Sequence, residues 1–147
     1  EIRGFLSQRR QRVIFTNGCF DLLHRGHVEY LRQARSLGDF LIVGLNSDDS
    51  ARALNGPGHP IQPQADRAAL LAEMQCVSVA CIFNEPSVEN LVQLLLPDVL
   101  VKGGDYSLKD VVGRQAVEAA GGLVTTLALW EGASTSELTR KIKNTPG

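Results

Sequence analysis

Two histidines, His24 and His27, stand three residues apart with Gly26 between them. They close the stretch Thr16-Asn17-Gly18-Cys19-Phe20-Asp21-Leu22-Leu23-His24-Arg25-Gly26-His27, which follows a compact apolar strand, Val13-Ile14-Phe15, and runs into a helical pattern beginning near Val28. At that spacing two imidazoles can share one helix face. A helix start adds free backbone N–H groups and the positive end of the helix dipole, which together suit an anion. The glycine lets a ligand reach the backbone with no Cβ in the way. An imidazole donates hydrogen bonds to phosphate oxygens, more strongly once a neighbouring anion favours its protonated form. In phosphoryl transfer such donors stabilise charge building on an α-phosphate and a departing pyrophosphate. Either histidine alone could simply cap or pack, but the pair beside a glycine at a strand-to-helix turn points to a phosphate site. No third ligand stands nearby to complete a zinc centre.

These groups need elements to hold them. Continuous apolar runs, as in Phe40-Leu41-Ile42-Val43-Gly44-Leu45, read as strands buried on both faces. Strands are expected at residues 12–16, 40–45, 77–83, 98–102 and 123–129. Val28, Leu31, Ala34 and Leu37 recur at helical spacing, and Gly38 stands where a C-cap glycine would. Further helices are expected at 66–74 with Asp66 as N-cap, at 88–95 with Ser87 as cap, at 113–120, and at 137–143 capped by Ser134 or Thr135. Between them, residues 51–64 carry Gly56-Pro57-Gly58, Pro60 and Pro63 and read as a long loop of the functional kind. Residues 1–11, with Arg3, Arg9 and Arg10, read as a solvated polar lead-in, either a short helix or a linker, and residues 12–147 as the domain. Strands alternating with helices predict an α/β fold: a Rossmann-like, doubly wound, parallel five-stranded sheet with helices on both faces, in one domain. The polar, glycine-bearing segments all follow strand carboxyl ends, where such sheets bind ligands. The strand order is not legible.

The 147 residues suit a single core. With 15 basic against 16 acidic residues, no bulk charge draws the chain to nucleic acid or to an acidic membrane. No apolar run approaches the roughly 20 residues of a membrane helix. Cys19, Cys76 and Cys81 are odd in number and lack metal-ligand spacing, which implies reduced thiols and a cytoplasmic setting.

The segment from Phe15 to His27 resembles the signature of the cytidylyltransferase-like nucleotidyltransferases, whose HxGH motif binds a nucleoside triphosphate. Gly44-Leu45-Asn46-Ser47-Asp48, Pro60-Ile61, Asp66-Arg67, Leu100-Val101-Lys102-Gly103-Gly104-Asp105-Tyr106, Val112-Gly113 and Gly121-Gly122 resemble one branch. That branch is the D-glycero-β-D-manno-heptose 1-phosphate adenylyltransferase domain of ADP-heptose synthesis. The resemblance implies transfer of AMP from ATP, with magnesium arriving on the ATP, to a sugar 1-phosphate. Pyrophosphate leaves and no covalent enzyme intermediate forms. It also permits a homodimer and an upstream sugar kinase domain or separate kinase partner.

Carried over, the resemblance implies catalytic roles for His24, His27 and Lys102. It implies nucleotide contacts at Thr16, Asn17, Gly18, Cys19, Phe20, Asp21, Gly26, Gly104, Asp105, Ser134, Thr135 and Ser136. It implies acceptor contacts at Asn46, Asp48, Arg52, His59 and Arg67. The residue types add their own constraints. Hydroxyls and unpaired N–H groups around Ser134 can hold β- and γ-phosphates. Lys102 can neutralise phosphate charge or simply extend to solvent. Asp105 can meet nucleotide or metal-bound water, or form a turn with Gly104. Asp21 is expected to orient a strand-end backbone or His24, and Cys19 to be a packed thiol rather than a nucleophile. Arg67 in a first helical turn is electrostatically misplaced, which suggests a phosphate partner or a surface salt bridge.

The chain also departs from the branch pattern. Ala53 and Asn55 stand where basic residues are usual and His59 where an arginine is, while Arg52 remains. Fewer cations should weaken a phosphorylated acceptor's hold. Two rival readings stay open: a cytidylyltransferase acting on a polyol phosphate such as glycerol 3-phosphate, and a nucleotide-binding module without transfer activity. Trp130 stands where the glycerol-phosphate branch usually has an arginine.

Overall fold

Val13, Ile14 and Phe15 expose no surface, because they belong to the middle strand of the sheet. The computed structural model describes residues 1–104, 107–132 and 134–146. Its strands are β1 (Val13–Gly18), β2 (Phe40–Asn46), β3 (Val79–Phe83), β4 (Val99–Gly103) and β5 (Leu123–Leu127), in the order β3-β2-β1-β4-β5. Every pairing is parallel. Around them lie α1 (Ile2–Gln8), α2 (Arg25–Arg35), α3 (Asp48–Asn55), α4 (Gln64–Ala72), α5 (Glu89–Leu95), α6 (Arg114–Ala119) and α7 (Thr135–Asn144).

Alternate residues of a strand face opposite sides, so the sheet carries two cores. Val13, Phe15, Ile42 and Leu100 meet Leu6 of α1, Val92 of α5 and Val117 of α6 on one side. Ile14, Leu41, Val43 and Val99 meet Leu31 and Ala34 of α2 and Leu71 of α4 on the other. A fully buried leucine such as Leu31 contributes roughly 1.5–3 kcal/mol, and each helix is held mainly by such residues.

The register matters for the site. β1 pairs with β2 from Val13 opposite Phe40 to Gly18 opposite Leu45, and with β4 at Ile14 opposite Val99. The chain winds outward from β1 to β3, then crosses back to lay β4 against the free side of β1. That reversal opens a crevice at the carboxyl ends of β1 and β4, the place where doubly wound sheets bind ligands.

Several boundaries differ from the sequence reading. β1 runs on to Gly18, and α2 begins at Arg25, so both histidines belong to the helix start. The expected loop at 51–64 opens with the last half of α3, whose cap is Ser47 accepting the Ser50 N–H at 3.1 Å. Asp48 and Asp49 in its first turn and Arg52 in its last suit the helix dipole. Gly56, at φ 87°, ends it. The true loop is residues 56–63. α4 starts at Gln64 after Pro63, leaving Asp66 within its first turn rather than at its cap. The N-terminal lead-in is only partly solvated: it forms α1, Leu6 is buried in the core, and Arg3 pairs with Asp98 at 3.0 Å. Among the described residues no helix is long and apolar enough to cross a membrane.

Candidate functional site

Between β1 and α2 the chain turns sharply, with Phe20 and Leu22 at φ 48° and 49°. Bulky residues rarely adopt this left-handed conformation, so surrounding contacts must hold it. The Asp21 carboxylate accepts the N–H groups of Ile61 and Gln62 at 2.6 and 3.0 Å. The Thr135 hydroxyl donates to the Asp21 carbonyl at 2.8 Å, and Arg67 Nη1 donates to the Cys19 carbonyl at 2.8 Å. Phe20 packs its ring 5.4 Å from that of His27. The turn is therefore pinned from three sides.

His24 is the N-cap of α2, and its Nδ1 accepts the Gly26 N–H at 3.0 Å. His27 Nδ1 in turn accepts the His24 N–H at 3.3 Å. An Nδ1 that accepts carries no proton, so in each neutral ring the proton sits on Nε2. The rings stack with centroids 3.9 Å apart. Burial, then the neighbouring His24, lowers the pKa of His27 to about 4, and burial lowers that of His24 as well. The unliganded pair is thus neutral near pH 7 and offers two Nε2–H donors. A bound polyanion would push both pKa values back up.

Both rings line a cavity of about 570 Å³ together with Asn17, Gly18, Cys19, Phe20, Gly26, Lys102, Ser134 and Thr135. Its further wall is apolar: Tyr30, Leu129 and Trp130. Burial lowers the pKa of Lys102, so an anion beside it would favour its charged form. Ser134 caps α7 by accepting the Glu137 N–H at 3.0 Å. That bond leaves the hydroxyl hydrogen of Ser134 available, and no partner among the described residues takes the N–H groups of Thr135 and Ser136. They are the ordinary unfilled donors of a helix start.

A second cavity, about 340 Å³, shares Asn17 and Lys102 with the first. Asn46, Ser87 and Asp110 give it polar walls, and Phe83, Leu54 and Val112 apolar ones. It lies beyond the carboxyl ends of β2, β3 and β4. Two ligands could therefore meet edge to edge at Lys102.

Most of the expected nucleotide residues converge on the larger cavity, with corrections. Thr16 is buried and spends its hydroxyl on the Tyr30 hydroxyl at 2.6 Å, so it supports the wall from behind. Asp21 fixes the 61–62 backbone, neither a strand end nor His24. Ser136 has an exposed side chain outside the lining and can contribute only its N–H. Gly104 lies outside it too, its N–H going to the Leu127 carbonyl. Asp105 lies outside the described residues. Cys19 has its thiol pKa raised, chiefly by burial, consistent with a packed group and not a nucleophile.

The expected acceptor set largely does not assemble. Arg67 is fully buried, and its guanidinium donates to the carbonyls of Gln62, Cys19 and Asn46 and to the Asp48 carboxylate, all within 2.9 Å. Neither a phosphate nor a surface ion pair explains its place in the first turn; a ring of carbonyls does. That same bond commits Asp48. Arg52 is exposed and paired with Asp49 at 2.9 Å, and His59 lies in the 56–63 loop; neither lines either cavity. Asn46 alone of the five lines a cavity, with its amide held by Ser50 at 2.9 Å. The sequence reading missed Tyr30 and gave no site role to Trp130, Leu129 or Asp110. Tyr30 was legible as the next residue on the face of His27, three positions on.

Helix-start imidazoles at the reversal point of a parallel sheet define a Rossmann-like nucleotide-handling enzyme. Comparison with known proteins supplies the family. The cytidylyltransferase-like family model matches residues 15–141, and the chain belongs to that family of nucleotidyltransferases. The bifunctional protein HldE of Geobacter sulfurreducens is 52% identical over 132 residues, covering 90% of this chain and 27% of that protein. HldE of Citrifermentans bemidjiense is 50% identical over 134 residues, 91% of this chain and 28% of that protein. The chain therefore spans little more than a quarter of the length of these relatives. Among solved structures, a lipopolysaccharide core biosynthesis protein from Thermoplasma volcanium matches with TM-score 0.69 and 27% identity, over 84% of this chain and 99% of that one. A pantoate-beta-alanine ligase from Francisella tularensis shares the fold at TM-score 0.61 and 16% identity, over 99% and 70%.

Proposed function

We propose that this chain transfers AMP from ATP to a sugar 1-phosphate, with D-glycero-β-D-manno-heptose 1-phosphate as the acceptor. The observation that carries the reading is the pair of cavities joined at Asn17 and Lys102. The larger one offers phosphate donors at one part and an apolar wall at another, which suits a nucleoside triphosphate. The smaller one offers Asn46, Ser87 and Asp110 to hydroxyl groups, while Lys102 at the shared edge suits the acceptor's phosphate. About 50% identity to HldE proteins supports the heptose acceptor over other sugars.

The chemistry asks little beyond positioning and electrostatics. An oxygen of the acceptor phosphate attacks the α-phosphorus in line; the bond from that phosphorus to the β-phosphate bridging oxygen breaks, and pyrophosphate leaves. A phosphate monoester is already ionised near pH 7, so no general base is needed, and two neutral imidazoles fit the role of donors. Their Nε2–H groups would meet the charge that builds on the α-phosphate and the leaving oxygen. Thr135 and Ser136 N–H groups would hold the distal phosphates. Among the described residues no three His, Cys, Asp or Glu side chains group to hold a metal. Magnesium would enter on the triphosphate, as the resemblance implies, and neutralise phosphate charge there. A sugar kinase, in a longer chain or as a separate protein, would supply the acceptor; the relatives' description as bifunctional fits a second activity in a longer chain.

Pyrophosphate release tests the proposal. It should require ATP and the heptose 1-phosphate together. Equal turnover with CTP and glycerol 3-phosphate would move the chain to the polyol-phosphate branch, and ATP binding with no release for any acceptor would make it a binding module.

A further inference from the structure

Trp130 is the single tryptophan of the chain and is 41% exposed. That exposure excludes it from the core. It lines the larger cavity beside Leu129 and Tyr30, and Leu129 is 68% exposed. Two adjacent large apolar residues are thus left open where they border the cavity. The Arg25 guanidinium carbon lies 4.9 Å from the Trp130 ring centroid. Arg25 is itself steadied by Glu29 at 3.6 Å and is not a lining residue. A cation over one face leaves the indole its other face and edge to present to the cavity.

We infer that Trp130 is the platform on which the nucleobase stacks, and that it makes the site prefer a purine to a pyrimidine triphosphate. This rests on the reading of the larger cavity as a nucleotide site, and deepens it. The phosphate donors of that cavity are His24, His27, Lys102 and the start of α7, so the apolar wall is what remains for the base. Stacking needs no particular hydrogen-bond edge, and its strength grows with the overlapped area; two fused rings cover an indole better than one. Base–aromatic stacking contributes roughly 1–3 kcal/mol, about 5- to 150-fold in affinity. Arg25, by restraining the ring, reduces the ordering cost of binding.

Because no other tryptophan is present, its fluorescence reports on this position alone. Titrating Mg-ATP should change the emission saturably, with a midpoint equal to the Kd from calorimetry. Trp130→Ala should weaken ATP binding about 5- to 150-fold and narrow the preference for ATP over CTP. It should leave the affinity for inorganic triphosphate unchanged. Trp130→Phe should keep most of the ATP affinity. ATP bound by Trp130→Ala as tightly as by the unaltered chain, or equal losses for ATP and inorganic triphosphate, would overturn the platform while leaving the nucleotide site intact. Calorimetry showing no ATP binding to the unaltered chain would overturn the nucleotide reading itself, and this inference with it.

Discussion

His27 Nδ1 accepts the backbone N–H of His24 at 3.3 Å, while the two rings stack 3.9 Å apart. One local geometry thus caps α2, fixes both tautomers and leaves both Nε2–H groups as donors. The helix start and the proposed catalytic pair are the same structure, which is why neither ring can be changed without consequence for the other.

If these imidazoles act mainly on the transition state, His27→Ala lowers kcat by roughly two or more orders of magnitude while the Kd for ATP moves much less. Single-turnover pyrophosphate release set beside calorimetric ATP binding separates the two. Unchanged turnover would remove His27 from the mechanism.

Stability should depend on pH through the same residue. The pKa of His27 falls from 6.5 to about 4 on folding. Between those values the unfolded chain takes up a proton that the native chain refuses, so stability falls as pH drops from about 6.5 towards 4 and is insensitive to this group above 6.5. Urea midpoints at pH 7.5, 5.5 and 4.5 should show the loss, and His27→Gln should show less of it. Parallel losses in both proteins would refute the assignment.

Arg67 makes its case through stability rather than binding. Arg67→Met strands the Asp48 carboxylate and three carbonyls, and should destabilise the fold by about 3–5 kcal/mol in urea unfolding. Were the guanidinium an acceptor contact instead, stability would hold and only the acceptor KM would rise.

Lys102 borders both cavities, so Lys102→Met should raise KM for ATP and for the acceptor alike, each by about tenfold, near the worth of one charge-assisted hydrogen bond. Steady-state kinetics with each substrate varied in turn checks this. A rise for one substrate alone would place the lysine at a single subsite.

The residues that carried the fold in the sequence were those with one dominant environment. Val13-Ile14-Phe15 and Leu41 to Leu45 are buried and read as strands directly, and β1 leading into His24 and His27 located the crevice. What stayed hidden depended on the third dimension. Arg67 lies many positions from Cys19 and Asn46, and no local pattern says that their carbonyls converge on its guanidinium. α3 was masked by its composition: Asp48, Asp49 and Ser50 are turn-formers that also serve a capped first turn, and Gly56-Pro57 then draws the eye to a loop. The acceptor set was carried over from the resemblance, whereas the second cavity is built from Asn46, Phe83, Ser87 and Asp110, which only the strand order brings together.

The central claim is adenylyl transfer to a sugar 1-phosphate, and ³¹P NMR of the products tests it most directly. With Mg-ATP and D-glycero-β-D-manno-heptose 1-phosphate, the account predicts the paired resonances of a nucleoside diphosphate sugar, appearing in step with free pyrophosphate. Persistence of both substrates, or equal conversion of CTP and glycerol 3-phosphate, would contradict it.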